Sequence, residues 1–97
     1  MAKERVMLQN PNTGRDDMTI ARSIYAPVRE AILAAIREAG DLPNAELRGQ
    51  VEKRTPKEMW QSNSVGWYTT SVKLDLEAKG LIKKTGSPQI LSLDKSA

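Results

Sequence analysis

Apolar residues recur at helical spacing in three stretches of this chain and in short β-like runs toward both ends. Between Ser23 and Ala39, the residues Val28, Ala31, Ile32, Ala35, Ile36 and Ala39 form one stripe at the spacing of an amphipathic helix. Proline is at home only in a helix's first turn, so Pro27 places the start near Tyr25 or Ala26, and Gly40 ends the helix. Asp41-Leu42-Pro43 is a connector in which Leu42 suits a small strand. Asn44 then stands where it caps a second helix running to about Arg54, with Leu47 and Val51 inward. Thr55 to Asn63 reads as a polar connector with a helical turn at Lys57 to Trp60.

The third helical stretch opens at Ser64, whose hydroxyl can accept from a free N–H of the first turn. Val65, Tyr68, Val72 and Leu76 share its inward face, and Gly80 stands where a left-handed residue closes a helix. Leu81-Ile82-Lys83-Lys84 and Gln89 to Leu93 flank the turn formers Thr85-Gly86-Ser87-Pro88, which predicts a hairpin. Ile90 and Ser92 alternate, but Leu91 and Leu93 break the alternation, so the pattern leaves the register open. At the other end, Arg5 to Gln9 and Met18 to Ile20 flank a run of turn formers from Asn10 to Asp17, predicting a second hairpin. A long helix running straight into a basic-tipped hairpin is the pattern of a recognition helix and its wing. The expected fold is α+β, a winged helix-turn-helix. It has an N-terminal hairpin over residues 1–20, a three-helix core over 23–79 and a wing over 81–93, all within one domain spanning 1–97.

Composition narrows the chemistry. The chain has 97 residues and no cysteine, which removes disulfides, thiol nucleophiles and thiolate metal sites. It has no histidine, which removes the usual base near neutral pH and the commonest metal ligand. The start, MAKERVMLQN, lacks the apolar core of a signal peptide, and the longest apolar run, Ala31 to Ile36, is too short to span a bilayer. A soluble cytoplasmic protein is expected. The net charge of +3 arises mostly after residue 80, where Lys83, Lys84 and Lys95 face Asp94 alone.

The segments VGWYTTSVKLDLEAKGLI and NPNTGR resemble a family of small, uncharacterised bacterial winged-helix proteins, over most of the chain. Leu76 to Ile82 also resembles the end of the recognition helix in many winged-helix regulators. The resemblance implies the fold and carries no activity or site residues with it.

No catalytic constellation is legible. Asp16-Asp17 are adjacent turn residues beside Arg15 with no further ligands near, Gly14 and Gly86 are isolated, and Ser62, Ser64 and Ser71 have no histidine to activate them. No enzyme, metal or cofactor is expected. The four aromatics, Tyr25, Trp60, Trp67 and Tyr68, read as core and interface anchors.

Two functions remain. In the first, the chain binds DNA as a transcription regulator or accessory factor. Ser62, Asn63, Thr70, Ser71 and Lys73 then stand at the major groove, Lys83 and Lys84 meet phosphate from the wing, and Asp75 and Glu77 oppose phosphate approach. In the second, the same scaffold is a protein-interaction module. Trp67, Leu74 and Ala78 form a stripe opposite the inward face of the third helix, and such a stripe is expected to meet the N-terminal hairpin, a second subunit in a homodimer or another protein.

Overall fold

The computed structural model describes residues 5–8, 18–61, 63–86 and 89–93. Its elements run β1 (Arg5–Leu8), β2 (Met18–Ala21), α1 (Arg22–Ala39), β3 (Asp41–Pro43), α2 (Asn44–Arg54), a 3₁₀ turn (Lys57–Trp60), α3 (Val65–Ala78), β4 (Ile82–Thr85) and β5 (Ile90–Leu93). This is the α+β, winged-helix layout that the hydrophobic pattern predicts, with the additional hairpin of β1 and β2 ahead of α1. The turn NPNTGR, Asp16-Asp17, Ser62, Ser87-Pro88 and the segment from Asp94 on lie outside the described residues.

Helix α1 supplies the central stripe: Tyr25, Val28, Ala31, Ile32, Ala35 and Ile36 are buried. It begins at Arg22, ahead of the start that Pro27 suggested. The N–H that Pro27 lacks would have reached the carbonyl of Ser23, whose residue is exposed, so the interruption falls where water can serve that carbonyl. Gly40, at φ 80°, closes the helix and donates its N–H to the Ile36 carbonyl at 2.8 Å. The end of α2 is tied to the end of α1 by Arg54, whose guanidinium meets the two carboxylate oxygens of Glu38 at 2.8 and 3.0 Å.

Asn44 is the first residue of α2 and not its cap; Pro43 holds that position without a side-chain bond. The reason is tertiary. The Asn44 N–H is already satisfied by the Gln89 carbonyl at 3.0 Å, and its side-chain oxygen is turned to Lys73 on α3. Ser64 does cap α3, accepting from the Trp67 N–H at 3.2 Å. The other end closes as a Schellman turn: Gly80, at φ 75°, donates to Glu77, and Leu81 donates to Leu76 at 3.0 Å.

The sheet has the order β3-β5-β4, all antiparallel. Leu42 pairs with Leu91, as its small predicted strand requires, and both are buried with Ile82 against the helices. That fixes the register the alternation left open: Leu91 faces inward and Ile90 outward. Period 2 then separates the two wing lysines. Lys83 pairs with Ser92 on the outer face, and Lys84 pairs with Leu91 on the face turned to the helices.

The core joins α1, α2, α3 and the inner sheet face through Val28, Ile32, Ile36, Leu47, Val51, Val72, Leu76, Ile82 and Leu91. Leu8 of β1 and Ile20 of β2 belong to the same cluster, and β1 lies against both α1 and α3. Among the described residues, no helix is long and apolar enough to cross a membrane.

Candidate nucleic-acid interface

Helices α2 and α3 enclose a groove of about 310 Å³ lined by Asn44, Leu47, Arg48, Gly66, Thr69, Thr70 and Lys73. The turns of α3 set its wall, since positions 66, 69, 70 and 73 fall on one side of a helix. Lys73, expected to reach outward, is only 8% exposed. Its ammonium donates to Asn44 Oδ1 at 3.2 Å. Burial lowers its pKa; the nearby Glu77 opposes that shift, and Lys84 adds to it. Thr69, 3% exposed, presents a hydroxyl with no hydrogen-bond partner among the described residues. Thr70 and Arg48 are exposed at the rim.

The wing continues this face. Lys84 Nζ stands 3.9 Å from Glu77 Oε1, and both oxygens of that largely buried carboxylate lack a hydrogen bond among the described residues. Glu77 is therefore folded in beneath the wing, not set out on the surface as a charge opposing phosphate. Lys83 is exposed on the outer face.

The remaining candidates divide. Asn63 is half-buried and donates its amide to the Met59 carbonyl at 2.8 Å, so it closes the turn before α3. Ser71 is half-buried. Trp67 is 45% exposed and meets Tyr68 edge-on at 4.9 Å; Tyr68 in turn lies 6.1 Å from Trp60. Trp60 is anchored from below by its N–H, which donates to Thr55 Oγ1 at 2.8 Å. Leu74 is half-buried. The stripe opposite the inward face is thus closed toward Leu74 and open at Trp67.

Another constellation was not legible as such. Asp75 has no exposure at all, although its charge suggested a solvated position. Tyr25 donates its phenol proton to Asp75 Oδ2 at 2.6 Å, and Lys79 donates to the same oxygen at 2.9 Å and to the phenol at 3.2 Å. The Asp75–Lys79 spacing of four was the available signal; Tyr25, fifty residues away, was not deducible from it. Beside this triad lies a cleft of about 380 Å³ lined by Arg22, Tyr25, Ala26, Arg29, Glu30 and Lys79. Among the described residues, no group of three or more Asp or Glu is placed to hold a metal ion.

No curated protein and no solved structure matches the chain. A family model does match, over residues 5–91, and so takes in the N-terminal hairpin, the three helices and the wing up to Leu91. On that match the chain belongs to DUF6958, a family of unknown function.

Proposed function

We propose that the chain is a cytoplasmic DNA-binding protein, a transcription regulator or accessory factor that presents α3 and the wing to a duplex. The observation that carries this reading is a run of cationic and polar groups over one face: Arg48, Asn44, Thr70 and Lys73 around the α2–α3 groove, continuing into Lys84 on β4, with Lys83 exposed on the other face of the wing. Arg48 and Lys83 supply free surface charge, and Thr70 is the polar side chain of α3 most open to a base edge. The neighbouring negative charge of Glu77 is tucked against Lys84, so it opposes a phosphate less than its place in the sequence suggests.

The test is fluorescence anisotropy with mixed-sequence duplex DNA across a range of salt. Replacing Lys83 and Lys84 together by alanine is expected to weaken binding to all sequences alike and to flatten the salt slope by up to about two units. An unchanged slope removes the wing from the contact set. Undetectable binding of the unaltered protein at low salt sinks the DNA reading.

One observation favours a second reading, a protein-interaction module. Trp67 is 45% exposed at the start of α3 and stands edge-on to Tyr68 as a rigid aromatic anchor. Such residues concentrate binding energy at protein interfaces. The two readings are separable by Trp67→Ala, which removes no charge and is therefore expected to lower association and leave the DNA salt slope unchanged.

A further inference from the structure

We propose that the α2–α3 groove is an oxyanion site built for one phosphate group, with Lys73 and Thr69 as its inner donors and Arg48 at its mouth. The inference deepens the DNA reading if the phosphate is a duplex phosphodiester, and it stands without that reading if the phosphate is free.

Two groups in the groove are incomplete as they stand. Buried charges are ordinarily paired, yet among the described residues no carboxylate lies within ion-pair distance of Lys73, whose one hydrogen bond goes to the neutral Asn44 amide at 3.2 Å. An ammonium carries three donors, so two remain for a ligand. One turn earlier on the same side of α3, the Thr69 hydroxyl is buried and has no partner among the described residues. A phosphate oxygen between these two groups completes both. Burial lowers the Lys73 pKa and the nearby Glu77 offsets part of that shift, so a phosphate oxygen beside the ammonium would favour its charged form further.

The rest of the lining suits the same ligand. Gly66 stands across from Arg48, and a Cβ added there would touch Arg48 Cδ at 3.4 Å. The Arg48 stem lies along the mouth beside Gly66, where its fork can close on an entering oxyanion. Leu47 gives the groove an apolar wall, which strengthens each charged hydrogen bond made inside. Glu77, the nearest acid on α3, has Lys84 at 3.9 Å to balance it, leaving Lys73 for the ligand. The volume of about 310 Å³ admits a phosphate with a substituent.

The experiment titrates isotopically labelled protein with inorganic phosphate, against chloride at matched ionic strength, and follows the amide signals of Thr69, Thr70 and Lys73. In parallel it measures the salt slope for duplex DNA. Saturable shifts at those amides are expected with phosphate and not with chloride. Lys73→Gln is expected to weaken phosphate about tenfold or more, the loss of one charge-assisted hydrogen bond. Thr69→Val, which removes a hydroxyl with no partner among the described residues, is expected to weaken phosphate binding while leaving the fold and thermal midpoint close to those of the unaltered chain. In the duplex arm, Lys73→Gln is expected to take about one unit off the slope. Phosphate saturation with an unchanged duplex slope, or with no duplex binding at all, supports the site with a free phosphate as its ligand. A reduced slope without phosphate saturation supports the site with a phosphodiester as its ligand. The proposal is overturned if Lys73→Gln and Thr69→Val leave both arms unchanged, and that outcome leaves DNA binding through Lys83 and Lys84 standing.

Discussion

Leu76 and Asp75 are neighbours on α3, both closed to solvent, and they stabilise the molecule by different means. Leu76 sits in the cluster where α1, α2 and the inner sheet face meet, so Leu76→Ala is expected to cost about 2–5 kcal/mol through lost transfer energy and the cavity left behind. A loss under about 1 kcal/mol in chemical denaturation would place the inward face elsewhere. Asp75 depends on its partners: Tyr25→Phe removes one of its donors at no change in ring volume and is expected to cost about 1–3 kcal/mol. The same triad sets an alkaline limit. Burial and the bond to Asp75 raise the Tyr25 pKa above 10.0. For Lys79, burial pulls downward, but the bonds to Asp75 and Tyr25 outweigh it and raise the pKa above 10.5. Both groups therefore keep their protons in the folded chain at pH values where the unfolded chain has released them. Their contribution is complete below about pH 10 and is lost as pH rises through the folded values. Lys73, with its pKa lowered, acts oppositely and in the window just below 10.5, where stability rises with pH. Urea midpoints on either side of about pH 10 are expected to fall in the unaltered protein and to fall less in Tyr25→Phe; an equal fall in both would clear the triad of this role.

The ends of α3 show how far an element can be read from its residues. Ser64 and Gly80 are local signals, each acting on backbone groups within a few residues, and both do in the structure what their types predict. Gly80→Ala tests the closing turn: a Cβ there meets nothing within 4 Å, so the change measures the φ of 75° alone. It is expected to cost about 1–2 kcal/mol in thermal or urea unfolding, and a neutral result would show that the turn relaxes to another conformation. The elements themselves were legible because apolar spacing is also a local property. What was not legible depends on long-range pairing. Asn44 is not a cap because Gln89, just ahead of β5, reaches it, and Leu91 faces inward because Leu42 lies opposite. Asp75, Glu77 and Lys73 were read as surface charges because burial of a charge is decided by partners that spacing on one helix does not reveal. Of the candidate site, Thr70 and the exposed wing lysines were legible, whereas Arg48 and the groove it borders needed the crossing of α2 over α3.

At the scale of the whole molecule, the N-terminal hairpin and the aromatic row compete as explanations of the second apolar stripe on α3. The hairpin packs on the helices: Leu8 and Ile20 are buried, and β1 lies against α1 and α3. It does not close Trp67, which remains 45% exposed in a single copy of the chain. Deleting residues 1–20 therefore removes two buried side chains, each contributing roughly 1.5–3 kcal/mol, and uncovers apolar surface on the helices without changing the surroundings of the indole. The expected result is a chain that unfolds at lower denaturant and associates more readily, with Trp67 emission unmoved at low concentration. Trp60 also emits, so the measurement belongs in a Trp60→Phe background, which keeps an aromatic ring beside Tyr68 and gives up the bond to Thr55. A red shift on deletion would show that the hairpin shields the indole after all. A blue shift in the full chain as its concentration rises would show instead that a second copy covers Trp67, and would move the balance from the basic face toward the aromatic one as the surface this fold presents.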